Sequence, residues 1–335
     1  MIIATAKINN DLPSDQGLDG RVNLYLEVYL YVMLSILEAQ MNTTELVKLA
    51  LLALVLPACS NAPISYKPDQ GKLLATGGIS QIEGVGGGGL TPWALISGYG
   101  SDTSYGGSLY YGKAKVTDFE LESYGASVGI ADRIEVSYAK QVFDTDTTGP
   151  ALGLRGAYKF KQDIIGAKVK LVGNAVYGQD TWLPQIAVGA QYKKIDSDNR
   201  PVVSALGATD DKGVDIYVSA TKILLDKNLI ISGTLRGTKA NQMGLLGFGG
   251  DQNNDYALQA EGSLAYMVSK KLVVGADYRM KPDNLSFAEE TDAAAAYIAY
   301  FPNKNMSVAL AAVDMGRIAN QGRQTGVYLS TQVGF

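Results

Sequence analysis

Residues 83 to 93 read EGVGGGGLTPW, in which Gly84, Gly86 and Gly89 have the spacing G-x-G-x-x-G. In a dinucleotide-binding turn such glycines bring a helix N-terminus against a pyrophosphate, and the motif needs a strand before it and a helix after it. The segment downstream of these glycines is LTPWALISGYG, Leu90 to Gly100, with a proline, two glycines and two aromatics. That composition disfavours a helix and suits a short strand, so phosphate chemistry is not expected. Two other stretches place oxygen ligands at alternating positions. FDTDTTG carries Asp144, Asp146, Thr148 and Gly149, and GGDQNND carries Asp251, Asn253 and Asp255. Both resemble the start of a calcium loop, but Arg155 and Gly262 stand where the bidentate glutamate belongs. Polar turns without a bound metal are expected at both.

The chain of 335 residues contains no histidine. The usual general base near neutral pH and the commonest metal ligand are therefore missing, and Ser-His and Cys-His nucleophiles are excluded. No enzyme and no cofactor are expected. A single cysteine, Cys59, rules out an intrachain disulfide. The net charge of -4 offers nothing to nucleic acid. Charged residues make up only 19%, below the quarter usual in soluble domains, and there are 38 glycines and 20 tyrosines. This composition points to a medium other than water.

From Met41 the sequence MNTTELVKLALLALVLPACSNA has a lysine, an apolar block and small residues, the layout of a bacterial secretory signal over 41–62. Leu56-Pro57-Ala58-Cys59 also resembles a lipobox, which would make Cys59 a lipidated first residue; cleavage after Ala62 is the alternative. The apolar run Leu24 to Leu37 is too short for a spanning helix, so residues 1–40 read as a spurious extension ahead of the true start at Met41. Residues 63–70 read as a linker.

After Pro63 the pattern has period two, which marks strands with two unlike faces. In GVDIYVSATKI, Val214, Ile216 and Val218 oppose Asp215, Tyr217 and Ser219. In LVVGADYRMK, Val274, Ala276, Tyr278 and Met280 oppose Gly275, Asp277, Arg279 and Lys281. The connections between such segments fall into two classes that take turns along the chain. Short ones lie at 131–133, 225–227, 269–271 and 302–304, and long polar ones at about 144–161, 196–212, 239–254, 282–290 and 315–324. Short turns at one end and long loops at the other are the layout of a transmembrane β-barrel, whereas a secreted sandwich scatters its loop lengths. The last strand, TGVYLSTQVGF, alternates up to a terminal aromatic, Phe335. This ending resembles the signal read by the bacterial barrel-assembly machinery.

The expected fold is therefore all-β: an antiparallel up-and-down transmembrane β-barrel in the outer membrane of a Gram-negative bacterium, covering 71–335. Counting back from Phe335 gives about thirteen strands, the first at 92–100. Single-chain bacterial barrels have even numbers. A further strand in LLATGGISQI, Leu73 to Ile82, would make about fourteen, with Gly84, Gly86, Gly87, Gly88 and Gly89 in the first loop. The alternative is twelve strands with the Gly-rich segment 77–90 as a plug inside the barrel.

The span from Gly71 to Phe335 resembles a family of proteobacterial outer-membrane proteins catalogued only as a domain of unknown function. The resemblance rests on GKLLATGGISQIEGVGGGGLTPWALISGYG, WLPQIAVGAQYKK, TKANQMGLLGFGGD, EGSLAYMV and YRMKPDNLSFA. It implies architecture and no activity. The histidine-dependent phospholipases, deacylases and proteases of that membrane are excluded by composition.

Alternation places Lys168, Lys170, Asp215, Arg236, Glu261, Asp277, Arg279 and Lys281 on the inward face, where charge demands water or a partner. They form either a filter of mixed sign or a salt-bridge network filling a closed barrel. The loop KANQMGLLGFGGD is too apolar for free solvation at Met243, Leu245, Leu246 and Phe248, so it is expected to fold inward and narrow the pore or to pack on a neighbouring loop. Tyr124, Tyr266, Tyr278 and Tyr297 read as outward interface belts. The functional expectation is a passive channel or translocation pore for a small solute. A closed interaction barrel with partner-binding loops is the alternative. Lipids and the barrel-assembly machinery are the expected partners, and no oligomeric state is specified.

Overall fold

The computed structural model describes residues 72–335 except Arg155, together with the backbone of Ser65–Tyr66. The extension 1–40, the signal 41–62 with Cys59, and most of the linker 63–70 lie outside the described residues. Three short elements come first: β1 (Ser65–Tyr66), β2 (Ile79–Ser80) and β3 (Gly86–Gly87). Twelve long strands follow: β4 (Ser104–Val116), β5 (Glu120–Ile130), β6 (Ile134–Asp144), β7 (Lys159–Val172), β8 (Gln185–Ile195), β9 (Lys212–Leu224), β10 (Leu229–Thr238), β11 (Ala257–Ser269), β12 (Leu272–Arg279), β13 (Ala293–Asn303), β14 (Met306–Arg317) and β15 (Arg323–Gly334). Each of these twelve pairs antiparallel with the next in sequence, and β15 returns to β4 in the register Gly326 opposite Val116 to Gly334 opposite Ser108. The sheet is thus closed and presents no free long edge.

The wall follows the alternation. On β10, Ile231 and Leu235 face out while Ser232, Thr234 and Arg236 are buried. Leu109, Ile165, Leu258, Leu264, Leu310 and Leu329 all expose more than half of their surface, an outer face suited to hydrocarbon. Tyr124, Tyr266 and Tyr278 also face out. Tyr297 does not: it is only 6% exposed and shares the inner face with Ala295, Ala299 and Phe301. Because AAAAYIAYF is apolar on both faces, its alternation could not separate lumen from lipid.

The strand count is twelve, the lower of the two numbers considered. Residues 92–100 form no wall strand because Trp93, Ala94, Leu95 and Ile96 are buried in succession, leaving no lipid face. Residues 73–82 likewise contribute only the two-residue β2. Within the segment 72–103, residues 75–100 instead run inside the barrel, so the glycines form part of a plug and not a first extracellular loop. Parity is satisfied by subtracting the thirteenth strand rather than by adding a fourteenth.

Inward-facing tyrosines are accommodated by missing side chains on the adjacent strands. Tyr110, Tyr217 and Tyr297 stand directly opposite Gly125, Gly189 and Gly275, and Tyr328 lies over Gly112. A Cβ at any of these four glycines would come within 3.0 Å of the ring concerned.

The end carrying Phe335 and the short turns is the periplasmic one in bacterial barrels. Two connections break the expected division of lengths. The three-residue link 117–119 lies at the opposite, outer end, and the twelve-residue link 173–184 lies at the periplasmic end. The latter is folded rather than loose, with the Lys222 ammonium donating to the carbonyls of Gly178, Thr181 and Leu183.

Candidate functional site

The plug is anchored at both of its ends near the periplasmic mouth. Lys72 donates to the carbonyls of Ile96 and Gly98 and pairs with Asp132 in the turn after β5 at 3.0 Å. Where the plug leaves for β4, Tyr99 N donates to the Phe335 carbonyl at 3.1 Å. Between these points the chain makes a tight hairpin of β2 and β3, with Ile79 opposite Gly87 and Ser80 opposite Gly86. Gly84 adopts a φ of +96°, which favours glycine. A Cβ on Gly88 would strike the Asp277 carboxylate of the wall. These glycines serve a backbone threaded between walls and have no helix to carry a phosphate.

One side of the lumen is apolar. Ile79, Ile82 and Leu90 of the plug meet Ala295, Tyr297, Ala309, Ala311 and Tyr328 around a void of about 20 Å³. The other side is ionic, and its centre is Glu83, fully buried. Its carboxylate accepts from Arg279 through both terminal nitrogens, at 2.9 and 3.1 Å, and from Lys193. Arg236 lies 3.7 Å away. Asp215 pairs with Lys193 at 2.7 Å and Arg236 at 3.2 Å, and Glu261 pairs with Arg236 at 2.5 Å and Arg279 at 3.5 Å. Gln191 accepts from Arg236 at 2.7 Å. Three cations therefore meet three carboxylates, two from the wall and one from the plug. Unpaired charges in such a place would cost several kcal/mol each.

Other wall groups hold the plug through its backbone. Glu135 accepts from Gly86 N at 3.0 Å and Ser97 N at 2.7 Å while pairing with Lys168 at 3.0 Å. Lys168 in turn donates to the carbonyls of Gly86 and Trp93 at 3.0 and 3.1 Å. Asp277 accepts from Leu90 N at 2.8 Å and from Ser263 at 2.5 Å.

A second segment enters from the outer end. Met243, Leu245, Leu246 and Phe248 are each at most 4% exposed in the loop between β10 and β11. Gln242 and Met243 take positive φ values of 44° and 61°, turning the loop inward. The Met243 carbonyl accepts from Lys193 at 3.2 Å and Gln162 at 3.3 Å. Lys193 thus joins plug and loop, and the lumen is filled from both ends. Outside the wall strands, Glu290 accepts from Gln242 N at 2.5 Å, and Lys281 donates to Gln242 at 2.7 Å and the Met315 carbonyl at 2.8 Å. Burial pushes the Glu290 carboxyl up to about 7, with Lys281 at 3.8 Å opposing that rise without cancelling it.

Of the charges expected inward, Lys168, Asp215, Arg236, Glu261, Asp277 and Arg279 meet the plug or its immediate partners. Lys170 sits apart at the periplasmic mouth with Asp132, and Lys281 lies beyond the end of β12 against the inner loop. Asp144 pairs with Lys159 and Asp146 with Lys115, while Asp251 accepts from Ser286. Three residues central to the site escaped the sequence reading: Glu83, Glu135 and Lys193. The last two were available to it, since IEVSYAK and GAQYKK alternate with Glu135 and Lys193 on the inward face. Glu83 carried no such signal because it belongs to no strand.

A closed antiparallel barrel with an apolar exterior, a tyrosine-bearing outer face and an ion-paired lumen defines an outer-membrane β-barrel of a Gram-negative bacterium. The chain belongs to the family described as "Protein of unknown function (DUF3034)", whose model matches residues 76–332. Among curated proteins, no similar sequence is found. Among solved structures it is similar to the KdgM porin, with 13% identity over 68% of this chain and 99% of that one and a TM-score of 0.44. It is also similar to the COG4313 outer membrane channel from Pseudomonas putida F1, with 13% identity over 69% and 95% and a TM-score of 0.44. Outer membrane phospholipase A from Escherichia coli matches with 10% identity over 71% and 93% and a TM-score of 0.38. Barrels of different activities match about equally, so these likenesses assign none.

Proposed function

We propose that this chain is a plugged translocation barrel, closed at rest by residues 72–103 and the loop 239–250, through which a small solute passes when the plug moves. The observation that carries this reading is the polar character of the plug's attachment along one whole side, at Glu83, Glu135, Lys168 and Asp277. A buried ion pair adds little net stability over apolar packing of the same volume. As permanent filling it offers no advantage; as a separable contact it does, because its groups hydrate readily once the plug withdraws. No catalytic step belongs to this reading, and lipids surround the outer face.

A sealed barrel that acts through its outer loops is the second reading, favoured by the apolar packing of Ile79, Ile82 and Leu90 on the alanine-rich wall. Planar-bilayer recording separates the two. The full chain should be electrically quiet, and a variant lacking residues 73–97 should show discrete conductance steps. A folded barrel that stays silent when both residues 73–97 and the inner-loop residues Met243 to Phe248 are removed would establish the sealed reading instead.

A further inference from the structure

We propose that Lys193, Arg236 and Arg279 form a carboxylate-binding site in the lumen, which Glu83 of the plug occupies at rest and a carboxylate-bearing solute occupies when the plug withdraws. The proposal rests on the translocation reading above and names its substrate class. The three cations come from three alternate strands, β8, β10 and β12, and converge on one point from the wall. The wall itself supplies only two carboxylates against them, Asp215 and Glu261. Withdrawing Glu83 leaves the cluster one negative charge short.

The geometry selects the kind of anion. Arg279 presents two nitrogens to the two Glu83 oxygens, at 2.9 and 3.1 Å, the parallel fork that suits a planar carboxylate. Lys193 adds a point charge on one of those oxygens, and Arg236 stands 3.7 Å from the other. Glu83 reaches Lys193, Arg236 and Arg279 through its side chain alone, so its head group can leave without breaking a bond within the wall. Lys193 also holds the Met243 carbonyl of the inner loop. A solute carboxylate arriving at this lysine competes with both closures at once.

The test uses the full chain in detergent micelles and in planar bilayers, with acetate as the probe. Thermal unfolding of Glu83→Ala is followed as sodium acetate replaces sodium chloride at constant ionic strength. Acetate should raise the melting temperature saturably, at a concentration about tenfold below any matching effect of chloride, because only acetate fits the fork. The wild type, whose site is filled, should show no acetate-specific rise. Equal responses to acetate and chloride, or an equal response in the wild type, overturn the proposal. Glu83→Gln keeps the side-chain volume and decides the matter if the alanine variant fails to fold: its channel currents should fall, when acetate replaces chloride, by clearly more than the bulk conductivity does. Currents that fall only in proportion to the bulk conductivity overturn the carboxylate site and leave plug gating intact. A silent Glu83→Gln counts against gating, and the site is then judged by acetate-dependent melting of whichever Glu83 variant folds, no acetate-specific rise overturning it.

Discussion

Removing the Glu135 carboxylate should open the barrel. The side chain is fully buried and performs two tasks: it accepts the Gly86 and Ser97 backbone N–H groups of the plug, and it neutralises Lys168. In Glu135→Ala, Lys168 keeps the Gly86 and Trp93 carbonyls but has lost the carboxylate 3.0 Å away. Orphaning one member of a buried pair costs about 3–5 kcal/mol. The cost falls on the closed state, because in a hydrated lumen the lysine is solvated. At about 1.4 kcal/mol per factor of ten, even the lower figure moves the closed-to-open ratio about a hundredfold. Single-channel recording of Glu135→Ala against a quiet wild type reads this directly. Glu135→Ala combined with Lys168→Met removes both charges and should restore most of the closure. Lys140→Ala breaks a half-exposed pair with Asp163 on the outer face and should change nothing by more than about 1 kcal/mol. A folded Glu135→Ala protein as quiet as the wild type would refute the argument that this carboxylate latches the plug.

Deleting Met243 to Phe248 in the Glu135→Ala background should enlarge the unit conductance, and an unchanged step would deny the inner loop its place in the conduction path. Gly189→Ala drives a Cβ into the Tyr217 ring and should cost about 1–3 kcal/mol in urea unfolding from micelles, whereas Gly233→Ala meets open space and should stay within about 0.5 kcal/mol. Equal effects at the two glycines would remove the tyrosine joint from the account. Glu290 supplies a pH test. Its carboxyl is raised from an ordinary 4.5 to about 7 in the fold, so its contribution to stability is fully present below about pH 4.5 and is lost as the pH rises through about 7. The melting temperature should fall across that window, and Glu290→Gln should lack this part of the decline.

Most of the wall was legible because a barrel in lipid imposes the same two-residue alternation on every strand. Asp215, Arg236, Glu261, Asp277 and Arg279 were assigned inward by that rule alone. It failed where both faces are apolar, as at Tyr297, and where burial is complete, as in WALI. A short extended stretch containing Pro92 and flanking glycines reads the same whether it joins a sheet or fills a lumen. The pairing of charges was likewise invisible. Glu83 and Arg279 are 196 residues apart, and nothing local in either stretch refers to the other.

The sequence by itself pointed to a closed barrel with a lipid face and a charged interior, because period-two alternation, short turns taking turns with long loops, and a final alternating strand ending in an aromatic agree on that arrangement. It also excluded histidine chemistry outright. Only the tertiary structure decided that the barrel has twelve strands, that the Gly-rich segment lies inside it, and that Glu83 completes a charge cluster which the wall leaves unbalanced. Those outcomes depend on which distant groups neutralise one another in a confined space, and alternation along a strand specifies a face without specifying a partner.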